Sequence, residues 1–200
     1  SSKSNCGVVY TYKFDGSTWT QLPGKIQPST NFESNDYFGS SISISGDYVI
    51  IGATGDDENG SGRGAAYIFK RDSGADTWTQ KAKLFAVNTG ISSDFGYSVA
   101  ISGDYAMVGS EEEDGVEVYK RSGESWNHVQ GFTGGYHFGH SISMSGNYAI
   151  ISDYKSDQHP ANSGSSFIFK LENDSWTQKQ IIYPADGGHE HNFGRNVSIN

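Results

Sequence analysis

Cysteine is nearly absent. Cys6 stands alone in 200 residues, so no disulfide can form within the chain. Proline (4) and methionine (2) are scarce, and no apolar run approaches the roughly 18 residues that a membrane-spanning helix needs. Lys and Arg number 14 against 23 Asp and Glu, giving a formal net charge of −9. The basic residues are scattered, which excludes the clustered cationic surface that holds nucleic acid. Hydrophobic residues reach only 34%, and no stretch of about ten residues carries a helical stripe. What the chain has instead is 26 glycines and 14% aromatics. That mixture suits short strands joined by glycine turns, with Tyr, Phe and Trp supplying buried area. The chain opens Ser1-Ser2-Lys3-Ser4-Asn5 with no methionine or apolar leader, which reads as a mature or trimmed product.

An internal repeat organises these residues. Phe-Gly recurs at Phe38-Gly39, Phe95-Gly96, Phe138-Gly139 and Phe193-Gly194. The first three are followed by an alternating stretch ending in Ser-Gly: Ser40 to Gly46, Tyr97 to Gly103 and His140 to Gly146. Asp47-Tyr48, Asp104-Tyr105 and Asn147-Tyr148 come next, each before an apolar run. A variable loop intervenes, then an aromatic strand ending in Lys70, Lys120 or Lys170, then a segment opening on Trp78, Trp126 or Trp176. The amino terminus carries the last two features alone, at Val8 to Lys13 and Trp19 to Gln21.

Four strands per repeat at this spacing predict β-propeller blades. The Ser/apolar alternation fits a narrow innermost strand, and the continuous apolar run fits a second strand covered on both faces. Ser-Gly-Asp-Tyr reads as a tight hairpin, the aromatic strand as filling where blades splay, and the Trp segment as an outer edge strand. The expected fold is an all-β propeller of four-stranded antiparallel blades, with full repeats at 37 to 93, 94 to 136 and 137 to 192 and partial repeats at 7–36 and 193–200.

These elements resemble the FG-GAP repeat, found in the propeller of integrin α-subunits and in many secreted proteins. Ile51-Gly52-Ala53 matches the "GA" half, while Val108-Gly109-Ser110 and Ile151-Ser152-Asp153 depart from it. The resemblance implies an extracellular or cell-surface setting and a protein or glycan partner. Family propellers have about seven blades. These 200 residues are therefore expected to be an arc of a larger ring or to self-assemble, the alternative being a ring of four closed by the terminal strands. The calcium loop of integrin-type repeats is missing between the first two strands, where only Ser-Gly-Asp-Tyr or Ser-Gly-Asn-Tyr stands. One carboxylate in a two-residue turn cannot supply the six or more oxygens calcium takes.

Between the second and third strands the loops are acidic. Asp56, Asp57, Glu58 and Asn59 form the one calcium candidate, against a plain solvated turn. Glu111, Glu112, Glu113 and Asp114 in the second repeat, and Asp153 and Asp157 in the third, are candidate ligand-loop residues. His137 and His140 flank one Phe-Gly, and His189-Glu190-His191 precede another, a spacing that could serve a transition metal or merely mark polar loops. The regular placing of Trp19, Trp78, Trp126 and Trp176 points to packing rather than sugar stacking. Sequons at Asn59, Asn173 and Asn196 are glycosylation candidates. No nucleophile with a base and no carboxylate pair breaks the repeat, so catalysis is not expected, with a glycan hydrolase or lyase the remaining enzyme class. The reading is a binding or scaffold module, with calcium-dependent adhesion as its alternative.

Overall fold

The computed structural model describes residues 4–30, 33–87, 94–110, 115–135, 137–157, 163–186 and 191–200, and among them there is no helix. A half-blade comes first, β1 (Tyr12–Phe14) paired with β2 (Trp19–Gln21). Blade 1 follows with β3 (Phe38–Ser45), β4 (Tyr48–Ala53), β5 (Ala65–Asp72) and β6 (Thr77–Leu84). Blade 2 holds β7 (Ser98–Ser102), β8 (Tyr105–Gly109), β9 (Gly115–Ser122) and β10 (Ser125–Thr133). Blade 3 holds β11 (Phe138–Ser145), β12 (Tyr148–Asp153), β13 (Ser165–Glu172) and β14 (Ser175–Ile182). Each full blade is an antiparallel meander in chain order. The Ser-Gly-Asp-Tyr turns close β3 to β4 through the pair Ser45↔Tyr48, with Gly46 at φ 57°. That conformation penalises any Cβ, hence the glycine.

Alternate residues of each blade pack against the blade before and the blade after. Ile50, Ala66 and Ile68 of blade 1 meet Phe95, Val99, Ile101 and Tyr119 of blade 2 in one core. Met107, Val116 and Val118 on the other face of blade 2 meet Phe138, Ile151, Phe167 and Phe169 of blade 3. Val9 and Ile26 cover Val49, Ile51, Tyr67 and Phe69 of blade 1. Burying a Val, Ile or Phe contributes about 1.5–3 kcal/mol, so the blade interfaces form the core of this fold.

Polar contacts repeat across the same interfaces. The tyrosine of each Ser-Gly-Asp-Tyr turn meets the next blade's tryptophan edge-on: Tyr48 with Trp126 at 5.9 Å and Tyr105 with Trp176 at 5.7 Å between centroids. The repeat lysine reaches an acid on the next blade, as Lys13 to Asp76 (3.3 Å), Lys70 to Glu124 (2.9 Å) and Lys120 to Asp174 (2.8 Å). The inner-strand serines face forward: Ser43 Oγ accepts from the Ile101 N–H, and Ser41 and Ser98 donate to the carbonyls of Gly96 and Gly139. The paired glycines of the repeat meet here. A Cβ on Gly52 would lie 2.0 Å from the Gly96 carbonyl oxygen, and one on Gly109 would lie 2.3 Å from that of Gly139. The "GA" glycine of one blade thus leaves room for the Phe-Gly of the next.

Two expectations need adjustment. The amino-terminal aromatic strand is shorter than Val8 to Lys13, with only an isolated bridge Val9↔Ile26 before β1. Residues 193–200 form no ladder strand, because the ladder partner of every other inner strand is its blade's second strand and none follows within these residues. They still lie along β11, with Ser141 Oγ accepting from Val197 N–H at 3.2 Å and Ser143 Oγ from Ile199 N–H at 3.1 Å. Those bonds repeat the β3-to-β7 pattern, so the segment takes the inner-strand position.

Candidate functional site

In each full blade the first strand leaves the Phe-Gly end and the second returns to it. The described residues between second and third strands therefore lie near the Phe-Gly residues at one end of the arc. The residue after each Phe-Gly occupies the same place at this end, yet it differs every time: Ser40, Tyr97, His140 and Arg195. Three of these four, with Ser41, Thr54 and Asn196, line a cavity of about 400 Å³ at the inner strands. The repeated serines beside it are committed to interblade hydrogen bonds.

Rings form a continuous band along this rim. Tyr97 and His140 lie 5.1 Å apart, and His140 and buried His137 lie 4.4 and 4.7 Å from the Tyr154 ring. The Arg195 guanidinium and the Lys155 ammonium sit 5.7 and 5.5 Å from that same ring. An aromatic face offers such cations an electrostatic seat. The rim thus joins aromatic, imidazole, hydroxyl and cationic groups, a set suited to binding a polar ligand. His137 and His140 are part of this band. His189 and Glu190 lie outside the described residues, and exposed His191 meets Asp186 at 3.3 Å.

The acidic loop of blade 1 is held from within. Asp56 is buried and accepts from Tyr67 O–H (2.5 Å), Lys83 Nζ (2.8 Å) and the Glu58 N–H (3.2 Å). Lys83 also pairs with Glu58 and sits about 5 Å from the Tyr67 and Phe85 rings. Burial, followed by the hydrogen bond to Asp56, drives the Tyr67 hydroxyl far above its ordinary range. Asp57, Glu58 and Asn59 are exposed. Among the described residues no group of three or more His, Cys, Asp or Glu could hold a metal ion. Glu111, Glu112, Glu113 and Asp114 lie outside the described residues. In blade 3, Asp153 ends β12 fully buried, while Asp157 is exposed, so the two do not share a surface.

Two features carried little sequence signal. Asp36 looks like one more loop acid, yet it is buried and accepts the Glu33 N–H at 2.7 Å. Burial raises its carboxyl above the usual range; the Glu33 hydrogen bond opposes this, while Asp56 and Asp57 add to it. Glu117 stands in β9 where the other full blades have Tyr67 and Phe167, and it is fully buried. Its Oε2 lies 2.5 Å from Nε2 of His128, which replaces Gln80 and Gln178 of the neighbouring repeats. Both departures were readable by aligning the repeats; their pairing was not.

The tryptophans divide. Trp126 and Trp176 are buried between blades, Trp78 is half-buried, and Trp19 is 69% exposed. The sequon residues Asn59, Asn173 and Asn196 are exposed. Cys6, the single cysteine of the chain, is half-buried.

The family described as FG-GAP repeat matches at residues 24–69, 78–125 and 133–169. No curated protein matches. Among solved structures, the chain is similar to Sqt1 of Saccharomyces cerevisiae at 13% identity and a TM-score of 0.51, covering 75% of this chain and 36% of that one. It also aligns with the N-terminal domain of Nup159 at 9% identity and a TM-score of 0.29, covering 83% of this chain and 51% of that one. The chain spans about a third and a half of those two chains respectively. At such identities the Sqt1 likeness speaks for fold alone.

Proposed function

The chain belongs to the FG-GAP repeat family, and from that premise we propose that it is a non-catalytic extracellular binding module engaging a protein or glycan partner at its loop-bearing end. One observation carries the reading. Residues that repeat are consumed by blade architecture, whereas Ser40, Tyr97, His140 and Arg195 share a repeated position without sharing chemistry. Variable side chains on a fixed scaffold are the usual form of a recognition surface. The experiment probes the purified chain and a Tyr97→Ala/His140→Ala variant against arrays of extracellular glycans and secreted proteins. Ligands of the native chain are expected to weaken at least tenfold on a variant that still melts as a folded protein. Silence on both arrays, or ligands indifferent to the variant, overturns the reading.

Calcium-dependent adhesion competes, motivated by the Asp56 to Asn59 loop. Its motive is weakened by Asp56, whose carboxylate already serves Lys83 and Tyr67. Calorimetry with calcium on the native chain and on Asp57→Ala separates the two readings.

A further inference from the structure

We propose that Lys83 and Asp56 condense into an intramolecular amide, a covalent staple between the outer strand of blade 1 and its acidic loop. Their ion pair is the reactant state. Lys83 Nζ stands 2.8 Å from both Asp56 oxygens, so the nitrogen faces the carboxyl carbon between them. The two side chains are 13% and 2% exposed, whereas Lys70–Glu124 and Lys120–Asp174 stand in solvent. The Tyr67 and Phe85 rings, 5.1 and 5.0 Å from Nζ, wall the lysine in.

Every group that the reaction needs is in contact. Nζ is the nucleophile and Asp56 Cγ the electrophile. Glu58 Oε2 also meets Nζ, and it takes the protons that the ammonium must shed. Tyr67 O–H donates to Asp56 Oδ2 at 2.5 Å and holds the charge that gathers there as the N–C bond forms. Glu58 passes the protons on to Oδ1, the Cγ–Oδ1 bond breaks, and one water leaves. Ammonium and carboxylate thus give amide and water, with no oxidant or other reactant. Such a condensation is unfavourable between free molecules in water. Reactants held in place behave as if at effective molarities of about 10⁵–10⁸ M. Burial acts in the same direction, because desolvation penalises the two ions and spares the neutral amide.

This constellation breaks the repeat. Tyr67 pairs across strands with Lys83, and in blade 3 Phe167 pairs in the same way with Ile181. The Asp56 N–H donates to the Ala53 carbonyl as the Ser156 N–H donates to that of Asp153, so Ser156 stands in the place of Asp56. Blade 3 therefore folds with Phe, Ile and Ser where blade 1 has Tyr, Lys and Asp, and blade architecture does not demand the three. The staple closes a loop from residue 56 to residue 83 in a chain whose single cysteine allows no internal disulfide.

Denaturing mass spectrometry of the purified chain, after overnight incubation at neutral pH, reads the amide directly. The expected mass is about 18 Da, one water, below that of the 21.7 kDa sequence. Tryptic digestion should leave Lys83 uncleaved and join its peptide to the one that carries Asp56. Lys83→Arg, which keeps the cation, should show its full sequence mass. Glu58→Gln should melt as a folded protein and hold a condensed fraction at least tenfold smaller at the same age. A native chain at its full sequence mass, a water lost equally from Lys83→Arg, a digest without the joined peptide, or Glu58→Gln condensing at the native rate overturns the proposal. The native chain alone decides the matter where a variant fails to fold.

Discussion

Gly52→Ala isolates the contact on which successive blades depend. The added Cβ would stand 2.0 Å from the Gly96 carbonyl oxygen and 2.4 Å from Ser41 Oγ, where ordinary contacts begin near 3.4 Å. Relief requires blade 2 to move outward by about 1 Å, which parts Ser41 Oγ from the Gly96 oxygen it now meets at 2.6 Å. Overpacking of this kind costs about 1–3 kcal/mol. The lost hydrogen bond adds about 1 kcal/mol. Together these lower Tm by roughly 4–16 °C in a domain of this size. Gly46→Ala in the same blade is the control. Gly46 has φ 57° and nothing within 4 Å of an added Cβ, so alanine there meets backbone strain alone, about 1 kcal/mol. Thermal unfolding by circular dichroism ranks the two. If Gly52→Ala melts at or above Gly46→Ala, the blades do not meet through this glycine and the reasoning fails.

Other expectations concern the polar interior. Lys83→Met leaves buried Asp56 without its cation and should destabilise by about 3–5 kcal/mol in urea titration. Asp36→Asn should raise Tm at pH 7, since burial disfavours the native carboxylate; because the folded carboxyl titrates higher than the unfolded one, that advantage should vanish once pH falls below the ordinary value of 3.8. Glu124 is held at about 2 by Lys81 and then Lys70, so stability from this exposed pair is present above about pH 4.5 and fades toward pH 2; Glu124→Gln should abolish that limb of the acid melt, and added salt should shrink it. Restoring the repeat with Glu117→Phe and His128→Gln together should be less damaging than the separate effects summed, a coupling of about 1 kcal/mol or more in a double-mutant cycle.

Much of this architecture was legible because a repeat states each rule several times. Phe-Gly, Ser-Gly-Asp-Tyr and the lysine-ended strand fixed blade strands and hairpins, since glycine turns and period-two alternation are local signals. Contacts between blades were less legible. Tyr48 and Trp126 are 78 positions apart, and nothing local says that they touch. The acidic loop misled for a similar reason: Asp56 reads like its exposed neighbours until Lys83, far along the chain, is seen to hold it. The rim was missed because the position after Phe-Gly looks like noise in a repeat, Ser then Tyr then His then Arg. Its significance emerges once the fold brings those positions to one end.

Repeated positions hold the blades, and unrepeated rim positions are left for a ligand. A saturation scan of the displayed chain, scored only for folded protein at the cell surface, tests that division without knowledge of any partner. Gly52, Gly96, Ser98 and Phe138 should reject nearly all replacements, while Ser40, Tyr97, His140 and Arg195 should accept most polar ones. Equal intolerance at the rim would assign those side chains to folding and contradict the division.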